Sequence, residues 1–163
     1  MRLRRSVGTD VEKVFAMHRA VIRLNNCIWS DDYPTIENVE TDHETGSLRV
    51  FEDSDGTIIG SCALETENEF EDFHGWTLDG EHCEEITRVV IAPEFQGHGY
   101  AKQMVKLFMD ELAENGCKAV HLFAVKTNPA ACKTYRALGF ETVGEYSAYG
   151  HDFYAMEYII KEE

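Results

Sequence analysis

The amino-acid sequence predicts an α/β or α+β domain built on one mixed sheet, and three observations carry that reading. Apolar residues switch between helical and strand periods along the chain, in the order β-α-α-β-β-β-α-β-α-β-β. The 163 residues, 44% apolar and 28% charged, can bury a core of their own and do not resemble a disordered chain. No repeat, proline-rich linker or shift in composition divides them, so residues 1–163 are expected to form a single domain.

Residues 2–7 read as a short first strand. Thr9-Asp10-Val11-Glu12 has the pattern of a capping box, and Val11, Val14, Phe15, His18, Val21 and Ile22 then recur at helical spacing to about Asn25. A second, weaker helix runs from Thr35 to about His43. Leu48–Glu52 and Thr57–Leu64 are strand-like runs joined by Asp53-Ser54-Asp55-Gly56, a hairpin signal. Residues 66–80 have no period and read as a loop long enough to be functional or mobile. Cys83–Ile91 is a β-branched strand stopped by Pro93. Ala101, Met104, Val105, Phe108 and Leu112 line one face of a helix that ends at Asn115-Gly116. Ala119–Val125 is a strand. Asn128 and Pro129 open a helix that ends near Leu138, and Phe140–Tyr146 and Phe153–Ile160 form a closing antiparallel pair.

Charge and cysteine usage narrow the function classes. Thirty acids against 15 Lys and Arg give a net charge of −15. Such a field disfavours nucleic acid and acidic membrane surfaces as partners. Between Asp31 and Thr87 there are 18 acids and a single base, Arg49. That stretch forms either a solubilising face or a surface that attracts a cationic substrate. No run reaches the length of a membrane span, and the N-terminus lacks the apolar stretch of a signal peptide. Five scattered cysteines without paired spacing indicate free thiols and no structural zinc, so a cytoplasmic protein is expected.

The segment from Arg88 to Lys102 carries the chemistry. It reads as a strand, a glycine-rich turn and a helix N-terminus. Gly97 and Gly99 free the turn for positive φ, so its N–H groups and those of the first helical turn can converge on an anion such as a phosphate. Neither a Walker A loop nor the G-x-G-x-x-G dinucleotide pattern is present. Gln96-Gly97-His98-Gly99-Tyr100-Ala101 instead has the form Q-x-x-G-x-A, preceded by V-x-x-P-E-F. Asn128 to Phe140 reads N-x-x-A-x-x-x-Y-x-x-x-G-F.

Together these segments resemble motifs A and B of the GNAT superfamily of N-acetyltransferases. The resemblance extends, through the order of elements, over nearly the whole chain. It implies a sheet of about seven strands, mostly antiparallel and splayed in the middle, with about four helices. It implies acetyl-CoA as donor and an amine as acceptor. The backbone of Val89, Val90 and Ile91 would bond the pantetheine arm and the acetyl carbonyl. Gln96, Gly97, His98, Gly99, Tyr100 and Ala101 would take the pyrophosphate, Lys102 would add a charge, and Asn128 would contact pantetheine. Tyr135 would be the general acid at the departing sulfur. Alignment places Glu85 at the position of the base, with Glu84 and His82 as weaker candidates on the same strand. No metal is implied. Homodimers are common in the family, but no segment here specifies one.

The acceptor side would come from the first helix pair and the loop before the motif A strand. Trp29, Asp32, Tyr33, His74 and Trp76 are its candidates, with Tyr149 and His151 closing the pocket. Aromatic faces interleaved with carboxylates suit a small cationic amine. A peptide or protein N-terminus is the alternative acceptor, and a non-catalytic CoA-binding module is a third reading.

Overall fold

A computed structural model describes residues 1–24 and 26–162. Strand β1 (Arg2–Arg5) is followed by helices α1 (Asp10–Val21) and α2 (Ile36–Glu44), then by strands β2 (Arg49–Glu52), β3 (Ile58–Leu64) and β4 (Cys83–Ile91). A 3-10 turn at Pro93–Phe95 leads to α3 (Tyr100–Glu114), β5 (Ala119–Val125), α4 (Pro129–Ala137), β6 (Glu141–Ala148) and β7 (His151–Ile159). This is the expected order. The strands form one sheet, β1-β2-β3-β4-β5-β7-β6, in which only β4 and β5 run parallel.

Both faces of the sheet are covered. Met104, Val105, Phe108, Met109 and Leu112 of α3 pack with α4 residues Cys132 and Tyr135 on one face. Val14 and Val39, from α1 and α2, cover Val50 and Ala63 on the other. Phe108 is fully buried, which is worth about 2–3 kcal/mol.

Helix starts show where local signals hold and where tertiary contacts override them. Thr35 and Asn38 form a reciprocal capping box on α2. Asn128 caps α4, its Oδ1 accepting the Ala131 N–H at 3.2 Å. At α1 the expected box does not form, since Thr9 is itself helical and makes no side-chain cap. Asp10 takes its place. Its Oδ2 accepts the Val7 N–H at 2.7 Å, and the Arg4 guanidinium forks onto both its oxygens at 2.7 and 3.1 Å. A charge-assisted fork outcompetes a hydroxyl cap. Helix α1 ends at Val21, and Asn25 lies outside the described residues.

Two irregularities in the sheet shape the site. Strands β4 and β5 pair only at Cys83↔Ala119, Glu84↔Val120 and Glu85↔His121. Beyond these, β4 stays with β3 as far as Ile91, and β5 stays with β7 as far as Val125. The facing edges, from Ile86 and from Leu122, therefore diverge. The second irregularity is a bulge in β4. Val90 and Thr87 pair with Ser61 and Ala63, so three steps on β4 match two on β3. Arg88 sits in this bulge with φ +47°. A left-handed non-glycine residue costs about 1–3 kcal/mol and persists only where its surroundings hold it.

Candidate active site

The diverging strands open onto a cavity of about 800 Å³, a size suited to a small ligand. Val89, Val90 and Ile91 line it from β4, Leu122 to Val125 from β5, and Asn128, Ala131 and Tyr135 from α4. Gln96 reaches the cavity, and its Nε2 donates to the Ile91 carbonyl at 2.9 Å, tying the turn to the end of β4. Gly97 and Gly99 follow with φ +81° and +77°, the conformation for which glycine was expected. The first bond within α3 runs from the Gln103 N–H to the Gly99 carbonyl, so the amides of Tyr100, Ala101 and Lys102 have no acceptor inside the helix. Residues 97–102 lie outside the cavity wall, as the turn that follows Gln96.

Glu85 and Tyr135 line the same cavity. Burial pushes the Glu85 carboxyl up to about 8, helped by Glu65 and Glu69 and opposed by the Arg88 guanidinium. Glu84, its neighbour on the strand, is not part of the cavity wall. Tyr135 is 8% exposed, and burial raises its phenol well above the ordinary range, so it stays protonated. His82 is exposed beside Glu81. The Cys132 thiol is buried and directed at the Val125 carbonyl, a packing position.

Of the residues expected on an acceptor side, Trp29, Asp32 and Tyr33 line the cavity, as do Tyr149 and His151. His74 and Trp76 do not. The Trp76 ring lies flat on His121, centroids 3.9 Å apart and planes within 2°, and His74 is exposed. The cause is the way the 66–80 segment is fastened. Glu157 accepts the backbone N–H groups of Thr77 and Leu78 at 3.1 and 3.2 Å, and the His121 Nε2–H at 3.0 Å. Burial pushes the Glu157 carboxyl up, but these donors outweigh it and hold it below the usual range. Phe70 stacks on Tyr146 at 4.5 Å and meets Phe123 edge-on at 4.8 Å. The segment is thus a fixed wall, and it brings Glu69 and Phe70 to the cavity in place of His74 and Trp76.

Sequence reasoning missed Glu65, Glu69 and the cluster around Arg88. Arg88 donates to both oxygens of Asp42, at 2.8 and 2.7 Å, and to the Tyr33 hydroxyl at 3.0 Å, with Glu65 at 3.6 Å. One signal was available: an arginine inside an otherwise β-branched strand must be paired if it is buried. Among the described residues, no group of three His, Cys, Asp or Glu could hold a metal ion. Among the described residues, no helix is long and apolar enough to cross a membrane.

Comparison with known proteins agrees with this geometry. Residues 18–140 match the acetyltransferase (GNAT) family. The mycothiol acetyltransferase of Corynebacterium jeikeium is 38% identical over 64 residues, 39% of this chain and 19% of that protein. That of Kytococcus sedentarius is 30% identical over 107 residues, 65% and 32% of the two. The chain spans about a fifth to a third of the length of these curated relatives. Among solved structures, a GNAT-family acetyltransferase from Streptococcus agalactiae superposes with a TM-score of 0.82 at 17% identity, covering 99% of this chain and 96% of that one. The structure of yncA from Salmonella typhimurium with its cofactor acetyl-CoA gives 0.75 at 19% identity, covering 100% and 95%. At such identities the likeness is one of fold. The family match over most of the chain and the splayed seven-stranded sheet lead to one assignment: this chain belongs to the GNAT family of acetyltransferases.

Proposed function

We propose that the chain transfers an acetyl group from acetyl-CoA to the primary amine of a small cation by direct attack, with Glu85 as base and Tyr135 as acid. The observation that carries this reading is the cavity between β4 and β5. It holds a half-buried carboxyl, a buried phenol and an unpaired strand edge together.

Acetyl-CoA supplies an acetyl thioester, whose C–S bond breaks as the C–N bond to the amine forms. The chain's residues fit such a donor. The free edge at Val89, Val90 and Ile91 offers strand-like hydrogen bonds to pantetheine. The Asn128 side chain, with its oxygen engaged in the α4 cap, keeps its NH₂ to donate to the same arm. The left-handed glycines 97 and 99 leave open space where a Cβ would stand, and the amides of residues 100–102 can take the pyrophosphate, with Lys102 adjacent.

Glu85 removes a proton from the ammonium form of the acceptor. An ordinary carboxylate sits about 6 pK units below an alkylammonium, an uphill transfer of about 8 kcal/mol. A carboxyl near 8 reduces this to about 3 kcal/mol. Tyr135, kept neutral by burial, gives its proton to the departing sulfur. Binding both partners in one cavity supplies the proximity.

The cationic acceptor rests on charge balance. Asp32, Glu65, Glu69 and Glu85 line the cavity against one arginine, Arg88, which is already committed to Asp42 and Tyr33. Trp29, Tyr33, Phe70 and Tyr149 add aromatic faces. The test is calorimetry with acetyl-CoA followed by a panel of amines. Heat on titration is expected, and di- and polyamines should exceed neutral or acidic amines by about tenfold or more in kcat/KM. No heat would remove the donor. Equal turnover across the panel would remove the cation preference, and a preference for peptide α-amines would move the acceptor to protein N-termini.

A further inference from the structure

Strand β4 has to serve two parts of the site at once. Its first half carries Glu85 and its second half is the free edge Val89–Ile91. The bulge at Arg88 separates them. Ile86 and Val89 pack into the core beneath α3, while Arg88 and Val90 face α2 and α1. Residues three apart on a regular strand face opposite sides, so the extra residue is what puts Ile86 and Val89 on one face.

Arg88 is the residue at which the backbone departs from the strand. Among the described residues outside glycine, Asn26, Asn68, Arg88 and Tyr149 have positive φ, and of these only Arg88 lies within a strand. Its side chain is 7% exposed and reaches three separate elements. The guanidinium forks onto Asp42 of α2, itself 2% exposed, bonds the Tyr33 hydroxyl from the segment after α1, and faces Glu65 just past β3. A planar fork fixes direction as well as distance, which a lysine ammonium cannot do.

We propose that Arg88 is a positioning residue: its fork onto Asp42 and Tyr33 holds β4 in the bulge that sets Glu85 in register with the donor-binding edge at Val89–Ile91. The proposal rests on the acetyl-transfer reading for its kinetic consequence, while its structural part stands without it. Displacing reacting groups by about 1 Å costs about a hundredfold in rate, so the predicted effect falls more on kcat than on ground-state binding.

The test uses the full chain with Arg88→Lys and Arg88→Gly. Arg88→Lys keeps the charge and loses the fork. It should lower kcat by about 10–100-fold, a larger change than any rise in the amine KM that follows from loosening Tyr33. Amide hydrogen exchange across residues 86–91 should quicken by about tenfold while α3 is unchanged. Arg88→Gly accepts the left-handed backbone freely but has no guanidinium. It should show the same losses and regain about fivefold in kcat when about 20 mM guanidinium chloride is added. Unchanged exchange over 86–91 in Arg88→Lys overturns the proposal, as does full activity of Arg88→Gly without guanidinium. Should Arg88→Gly fail to fold, Arg88→Lys decides by itself. A wild-type protein that gives no heat with acetyl-CoA would overturn the functional reading alone, because the exchange experiment still reports whether Arg88 holds β4.

Discussion

The proposed donor side is nearly continuous in sequence, running along the cavity wall from Val89 to Gln96, on through the glycine turn outside that wall to Lys102, and joined by the start of α4. Its working parts are backbone groups: a free strand edge, a turn with two left-handed glycines, and the first amides of a helix. The proposed acceptor side is assembled from short stretches around residues 29–33, 65–70, 85–88 and 149–153, and its working parts are side chains. Backbone geometry follows from local signals such as glycine and proline spacing. A wall of side chains depends on how distant segments dock. The two sides should therefore fail separately, and each variant below is a way of checking that they do.

The largest effects are expected where the sides meet. Tyr135→Phe should lower kcat by about a hundredfold or more while acetyl-CoA affinity, measured by calorimetry, changes by less than about twofold. Glu85→Gln should lose a similar factor and also abolish the acid limb of the pH–rate profile. In the wild type that limb should rise with a midpoint near 8, because the carboxyl must be ionised to accept a proton. A wild-type midpoint near 4.5 would show Glu85 to be exposed or not the base.

Smaller effects should separate the sides. Gly99→Ala forces a Cβ into φ +77° at the head of α3 and should weaken acetyl-CoA about tenfold, leaving the amine KM alone. Glu157→Gln keeps one acceptor oxygen for three donors and should loosen the 66–80 wall. Its amine KM should rise about 3–10-fold with acetyl-CoA affinity intact. If either variant moved both constants equally, the division into two sides would be wrong.

The smallest effect concerns stability. His18 of α1 is buried edge-on against Trp29, 5.1 Å between centroids, with neither ring nitrogen hydrogen-bonded. Burial, helped by Arg88 and Arg19, lowers it to about 3. Below pH 6.5 the unfolded chain takes up a proton that the folded chain refuses, so stability falls with falling pH by about 1.4 kcal/mol per unit. Glu85 acts in the opposite direction. Above pH 4.5 the unfolded chain releases a proton that the folded chain keeps to about 8, so stability falls as pH rises. Between 4.5 and 6.5 the two slopes cancel. Urea unfolding should show His18→Leu flattening the acid side and Glu85→Gln the alkaline side. The same slopes in wild type and variants would mean that neither group is buried as described.

Much was legible in the chain before any tertiary contact was known. The order of eleven elements, the extents of β4 and β5, the glycine turn and the Asn128 cap all followed from periods, propensities and spacing, because each depends on residues within a few positions of one another. The proposed acid–base pair rests on the family resemblance, since nothing local distinguishes Glu85 from Glu84 or makes Tyr135 more than a core aromatic. His74 and Trp76 lie off the cavity wall for the converse reason. Their composition suited a cation site, but Glu157, 80 residues beyond Thr77, turns their segment so that Trp76 covers His121.

What the sequence alone determined is therefore the backbone: the order of elements around one mixed sheet and an anion-ready turn. Tertiary structure alone decided which charges are buried together. Asp42, Arg88, Tyr33 and Glu65 come from four separate elements, and their pairing is set by burial, which forces each charge to find a partner across space. That burial also gives Glu85 its raised affinity for a proton, and no reading of neighbouring residues could have supplied it.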